Sequence, residues 1–424
     1  MRSMVRPFLL LPALIVAMVV IPTMVLFAAS GAPGADLAGI VPGAREAGAM
    51  DLSSISAFQS PLPPGTVPPG TVPPPTPRPR PRPTTVVVPR APAVATTPSD
   101  RATIYPYEIE KVIGDRLSPT IYAFIENGAL YRSDDDGRIW TLVTARPKRD
   151  DFLMSSADPN VLYSGDGVDC ADPVAGNAPM YRSDDGGFTW DELPTGINLR
   201  PLLIDPANPD VLFAADCAML YLSTDGGMSW TSRADNSEAR LWETYRVVAM
   251  TSASLVGDPV PAVPHWDQLY AAGNNASGEG VITFTGDQGG TWANITDPER
   301  APMSLITVVA DLYRAGHIWM LAENGVWATE DFGVDWQFSD RGLRSLTRTA
   351  SAALTDLTYA TNGKLYLGTS QGVFEKPING EMWTRVVDTG FTSKEVVNFL
   401  LTETSPRNLW VNTDDGVFTY YLED

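Results

Sequence analysis

From about residue 101 onward, the apolar residues of this chain come in short runs of three to five, separated by polar corners rich in Gly, Asp, Asn and Ser. Runs of that length, carrying aromatic and β-branched residues, predict strands. Many of the corners share one frame. Ser183 to Trp190 reads Ser-Asp-Asp-Gly-Gly-Phe-Thr-Trp, and the same S/T-x-D-x-G-x-x-W pattern stands at Ser133 to Trp140, Ser223 to Trp230, Thr285 to Trp292 and Thr329 to Trp336. A worn sixth copy ends at Trp383, with Lys376 and Ile378 in place of the hydroxyl residue and the aspartate. Strand-like runs precede the copies, as in Leu130-Tyr131-Arg132 and Met180-Tyr181-Arg182, so each frame is predicted to be a hairpin corner. In this reading Asp135, Asp185, Asp225, Asp287 and Asp331 accept hydrogen bonds from backbone N–H groups one or two residues ahead. The glycine supplies a left-handed backbone, and the tryptophan opens the next strand.

The tryptophans at 140, 190, 230, 292, 336 and 383 are spaced by 50, 40, 62, 44 and 47 residues. A period near 40–50 residues with four strands per unit predicts a β-propeller, whose blades are not stable singly. Seven blades of four antiparallel strands are expected over 101–424, the second to sixth near 152–193, 199–232, 245–295, 305–338 and 353–387. The seventh shows three strand signals, Val396 to Leu401, Leu409 to Val411 and Val417 to Tyr421, and lacks a Trp-led fourth. Thr103 to Tyr107, with Pro106 tolerable on an outer edge, is the segment expected to complete it.

This frame is the Asp-box, and residues 101–424 resemble the BNR/YVTN-type repeat propellers. That group includes sialidases, sortilin-type receptors, two-propeller xyloglucanases and the photosystem II assembly factor family. The resemblance implies the fold strongly and the function weakly. A sialidase site would need an Arg-Ile-Pro motif near the first strand, where this chain has Glu108-Ile109-Glu110-Lys111. The xyloglucanases work across a cleft between two propellers, and one propeller fits this length.

The rest of the chain sets the location. Arg2 and Arg6 precede an uncharged run of 22 residues, Phe8 to Ala29, interrupted by Pro12 and Pro22. Residues 1–30 are therefore expected to form a transmembrane anchor with an exported body, the alternative being a signal peptide cleaved near Ala28-Ala29-Ser30. Residues 31–100 are a Pro-rich linker, predicted to be disordered, with Arg-Pro repeats at 77–83. In polyproline II, residues 60–98 would reach ~120 Å. The first 100 residues hold seven of the 30 basic and four of the 50 acidic side chains, leaving the body with 23 and 46. A body that acidic is a poor ligand for nucleic acid.

Candidate chemistry is sparse. Cys170 and Cys217 are the only cysteines, placed in equivalent loops of blades two and three, and are expected either to pair or to remain buried thiols. Asp166, Asp169 and Asp172 crowd a Gly-rich loop without matching a Ca2+ spacing, and no metal or cofactor is expected. His265, in a Pro-rich loop, and His317, beside a turn glycine, form no catalytic pair. The long loops at 165–179, 234–244, 252–267 and 273–278 mark where specificity would be placed. Arg200, Arg246 and Arg348 stand near innermost strands, with Arg240 and Trp242 in a loop above. Together they form a candidate anion-and-aromatic patch for a protein partner or a glycan. The expectation is an exported, membrane-anchored interaction scaffold, with a carbohydrate-active envelope protein as the alternative.

Overall fold

The computed structural model describes residues 88–89, 99–104, 106–144, 152–165, 167, 179–233, 242, 245–253, 265–297, 302, 304–311, 314–343, 353–387, 391–403 and 407–422. The N-terminal span, most of the Pro-rich stretch, Cys170, and Asp166, Asp169 and Asp172 lie outside them. Among the described residues no helix is long and apolar enough to cross a membrane.

Seven antiparallel four-stranded blades follow one another as up-and-down meanders. Their first strands are Tyr107–Gly114, Leu153–Met154, Arg200–Asp205, Arg246–Ala253, Leu305–Ala310, Leu354–Ala360 and Val396–Thr402. Each first strand touches the next, and the seventh returns to the first, so they line the axis of a closed ring. The fold is the seven-bladed all-β propeller expected from the corner frame.

Blade seven is completed from the N-terminal side, although by a different segment from the one expected. Ser99–Arg101 pairs with the third strand, Ser99 opposite Tyr420 and Arg101 opposite Phe418. Thr103–Ile104 instead folds back on Tyr107 and Glu108. Pro106 sits in that turn, where its fixed φ suits a corner. An outermost strand needs only backbone pairing, so the polar Ser99–Arg101, which straddles the expected end of the linker at residue 100, can supply it. A second short strand, Val88–Pro89, likewise pairs with Ile139 and Trp140 on blade one.

The apolar core is not a single centre. It divides into seven clusters, each spanning two adjacent blades and together covering all seven junctions. The repeated tryptophans occupy equivalent places in this arrangement: Trp140 packs with blade seven, Trp190 with blade one, Trp230 with blade two, Trp292 with blade three, Trp336 with blade four and Trp383 with blade five. Blade seven has no such tryptophan, and its junction with blade six is filled by the fully buried Phe391, edge-on to Phe418 and Tyr420.

The corners show what the frame's residues do. The Ser183 hydroxyl donates to Asp185 Oδ1 at 2.9 Å and accepts the Gly187 amide at 2.8 Å. Asp185 Oδ1 in turn accepts the Thr189 amide at 2.8 Å. The same three bonds recur around Ser133, Ser223, Thr285 and Thr329. The aspartate thus reaches four residues ahead, not one or two, and the hydroxyl is a pin of its own. Two successive residues take positive φ, for example Gly186 at 74° and Gly187 at 89°. The second also brings the corner against the preceding blade: a Cβ at Gly227 would meet Leu193 at 2.6 Å, and one at Gly333 would meet Ile295 at 2.7 Å.

Polar staples reinforce two junctions in the same pattern. Arg132 bonds Asn160 at 2.6 Å while Tyr122 donates to the Pro159 carbonyl, and Arg182 bonds Asp210 at 2.6 Å while Tyr163 donates to the Pro209 carbonyl. At the ring closure, Asp136 of blade one accepts from Thr402 and Asn408 of blade seven, and Glu403 of blade seven takes Arg116 of blade one at 2.6 Å while also accepting from Thr361 of blade six at 2.7 Å.

Replacing Ser183 by Ala should lower the unfolding free energy by about 1–3 kcal/mol in urea titrations, because the buried Gly187 amide loses its acceptor. A change below ~0.5 kcal/mol would show that the hydroxyl is not a pin.

Candidate functional site

Two regions of the ring depart from regular pairing. The first is the axial mouth near the starts of the first strands. In blades one and three through seven, the register between first and second strands slips near the same place, at Ile109/Lys111, Pro201/Leu203, Val247/Ala249, Leu305/Thr307, Leu354/Asp356 and Val396/Asn398. A bulge interrupts the ladder and leaves backbone groups without strand partners. Side chains of the preceding blade take several of them. Arg200 Nη2 donates to the Val248 carbonyl at 3.0 Å, Asn274 brackets Leu305 with two bonds of 2.6 Å, Asp356 accepts the Phe399 amide at 2.8 Å, and Asn412 brackets Val112.

These contacts determine what the predicted patch can do. Arg200 spans from blade three to the carbonyls that follow Arg246 in blade four, so its guanidinium is a junction tie. Arg246 is half-buried at the start of its strand, opposite Asn274. Trp242 is fully buried in the junction of blades three and four, edge-on to Trp292 at 5.4 Å, and therefore presents no aromatic face to a partner. Burying so large an apolar ring is favourable enough to pull a loop tryptophan inward. Arg240 and Arg348 lie outside the described residues, as does most of the long-loop sequence. Cys217 is disulfide-bonded, and the only other cysteine of the chain is Cys170. His265 opens the second strand of blade four and does not lie in a loop, and His317 sits edge-on to Trp319 at 6.5 Å.

The second region lies at the worn corner of blade six. Neither Asn379 nor Gly380 takes the positive φ found at the intact corners, and the Gly380 amide bonds the Pro377 carbonyl at 2.7 Å. The atoms nearest a Cβ on Gly380 belong to Pro377 of its own turn, not to the preceding blade. Where the intact corners press onto a neighbour, this one leaves a groove of about 560 Å³ against blade five, lined by His317, Trp319, Phe338, Lys376, Ile378 and others. Lys376, which replaces the pinning hydroxyl residue, donates to Ser339 Oγ at 2.9 Å and lies 5.8 Å from the centre of the Trp383 ring. Burial holds its ammonium below the usual lysine range. The sequence signal for this groove was the departure of Lys376 and Ile378 from the frame. Nothing in the sequence marked Asp356, Asn274 or Asn412.

No protein family matches the sequence, and no curated protein matches it. In fold the chain is similar to YCF48 bound to D1 peptide, at 16% identity and a TM-score of 0.50, covering 77% of this chain and 94% of that one. It is similar also to YCF48 from Cyanidioschyzon merolae, at 13% identity and a TM-score of 0.51, covering 76% and 98%. The β-propeller domain of Cps50 (Swd1) from Myceliophteria thermophila gives 11% identity, a TM-score of 0.50 and coverage of 74% and 97%. At such identities the likeness is one of architecture.

Asp356 has a pH signature. Its side chain keeps some solvent contact but lies deep among the first strands, and burial, only partly offset by the Phe399 and Leu357 amides, pushes its carboxyl up to about 6. The folded protein then holds a proton that the unfolded chain releases near 3.8, so this residue's contribution to stability is lost as pH rises through about 6. Asp356→Asn should therefore gain stability relative to the parent on going from pH 4 to pH 7.5, by on the order of 1–3 kcal/mol in parallel urea titrations. A relative loss over that range would reverse the sign and refute it.

Proposed function

We propose that this chain is an exported scaffold, held at a membrane by residues 1–30, whose propeller binds a protein partner through the face that carries the corners. The observation behind this reading is the distribution of exposed apolar side chains. Ile139, Phe188, Met228, Val334 and Met382 are 52%, 38%, 61%, 64% and 52% exposed, and each occupies the sixth or seventh position of its corner frame. Corners alternate with the opposite loops along every meander, so all five project from one face. Leu117, 48% exposed in the turn between the first two strands of blade one, joins them there. Only three other large apolar side chains among the described residues are so exposed, Ile197, Val387 and Val397, and they sit at the other face.

An acidic surface studded on one side with isolated apolar groups fits a binding face better than a catalytic cleft. YCF48, similar in fold, is a propeller seen with a bound peptide, which supports the same use of the architecture. The uncharged run from Phe8 to Ala29 supports the membrane tether, and with it a membrane-associated partner.

The test is affinity capture from native membranes with the full chain, set beside the triple variant Phe188→Ser, Met228→Ser, Val334→Ser. Exposed substitutions of this kind usually move stability by no more than ~0.5 kcal/mol each, so the variant should fold. The parent should enrich a defined membrane protein at least tenfold over the variant. Equal capture by both, or binding confined to a glycan array, would contradict the proposal.

A further inference from the structure

We infer that the groove between blades five and six is a binding site for a small organic monocarboxylate with an apolar body, its carboxylate seated on Lys376. The inference does not depend on the corner-face reading: Met382 of the same worn frame belongs to that face, but the groove is formed by Lys376, Ile378 and blade five.

Its first support is an imbalance of charge. Among the described residues Lys376 has no carboxylate within ion-pair distance, and the contacts its ammonium makes are the Ser339 hydroxyl and the Trp383 ring. The neighbouring cations are matched: Arg341 pairs with Glu381, and Arg314 reaches both Asp311 and Asn379. Lys364 and Lys394 are likewise paired, with Glu375 and Asp415. A partly desolvated ammonium facing a hydroxyl and a π-face has lost hydration that a single anion would restore. Burial already holds this amine below its usual range, and a bound anion would move it back up.

The second support is the shape and lining of the space. A volume of about 560 Å³ lies within the ~300–1,000 Å³ of small-molecule sites. Ile378 is half-buried on its wall beside Trp319, giving an apolar body somewhere to lie, whereas the Phe338 ring turns away to Trp327 in the junction with blade four. Glu330, Asp340 and Glu381 also line the groove. Arg341 is also on the lining and pairs with Glu381, and the two remaining carboxylates beside the Lys376 ammonium disfavour a phosphate, whose charge at neutral pH is nearer two, more than a monoanion.

The third support is the origin of the space. At intact corners a hydroxyl and an aspartate pin the turn and the following glycine is pressed onto the preceding blade. Lys376 and Ile378 remove both pins while Trp383 stays buried, so the blade keeps its anchor and opens only at the corner. The same two substitutions therefore make the cavity and line it with one cation and one aliphatic side chain.

The experiment uses the full chain with lysine labelled at Cε with 13C. The chain has five lysines, and the signal missing in Lys376→Arg assigns the one that matters. The probes are 3-phenylpropionate, 3-phenylpropionamide, inorganic phosphate and a blocked peptide bearing one Glu beside one Phe. Saturable movement of the Lys376 signal is expected with 3-phenylpropionate alone, with its titration midpoint raised by a unit or more at saturation. Lys376→Met should weaken binding at least tenfold while leaving the urea midpoint of the protein and the capture of its membrane partner unchanged. Equal binding of acid and amide, a response from other lysines only, or preference for phosphate would overturn the assignment. A response to the peptide but not to the free acid would transfer the site to a protein's acidic side chain and overturn the small-molecule reading.

Discussion

The constraint on which the rest of this protein depends is that no blade can bury its own faces. Each sheet is about one layer thick, so its apolar side chains are covered only when a neighbour lies on either side, and the core accordingly splits into one cluster per junction. An indole delivered by a pinned corner is the repeated device at five of these junctions, and at a sixth the indole, Trp383, follows the worn corner. Because stability is held between units, closing the ring matters more than the strength of any one sheet. Ser99–Arg101 closes it through backbone pairing, while Asp136 and Glu403 close it through side chains drawn from the blades that meet there.

Much of this was legible in the sequence because the corner frame couples a local rule to a global one. A hydroxyl, an aspartate and a glycine at fixed offsets make the turn, and the tryptophan that follows must find a neighbour, so repeats of the frame imply a ring. The worn frame at Lys376 and Ile378 was visible for the same reason, as a departure from a strict pattern. Outer-strand pairing was less legible. Ser99–Arg101 is polar throughout and joins the sheet by its backbone alone, so periodicity gave no signal and the β-forming stretch Thr103 to Tyr107 drew the assignment. Trp242 misled in the opposite sense, since a tryptophan among charged loop residues resembles a binding handle until the packing shows it between two blades.

The axial contacts belong to a third class that sequence reasoning does not reach. Asn274, Asp356 and Asn412 act only because first strands bulge at matching positions and expose backbone groups across a junction. A bulge leaves almost no mark on the pattern of apolar and polar residues, and the partner is dozens to hundreds of positions away. Functional potential then collects where the repeat is imperfect. Intact corners are sealed and offer only their exposed tips, while the one unpinned corner opens a cavity. Regular geometry sets the frame, and its exceptions supply the chemistry.

The most direct test of the coupling between corner and junction is a double-mutant cycle joining Asp185→Ala with Trp190→Phe, followed by urea unfolding. If the pinned turn is what seats the indole against blade one, the two losses should be non-additive, with an interaction energy of about 0.5–3 kcal/mol. Losses that simply add, to within ~0.5 kcal/mol, would mean that turn and tryptophan stabilise the ring independently, and the account given for the corner frame would be wrong.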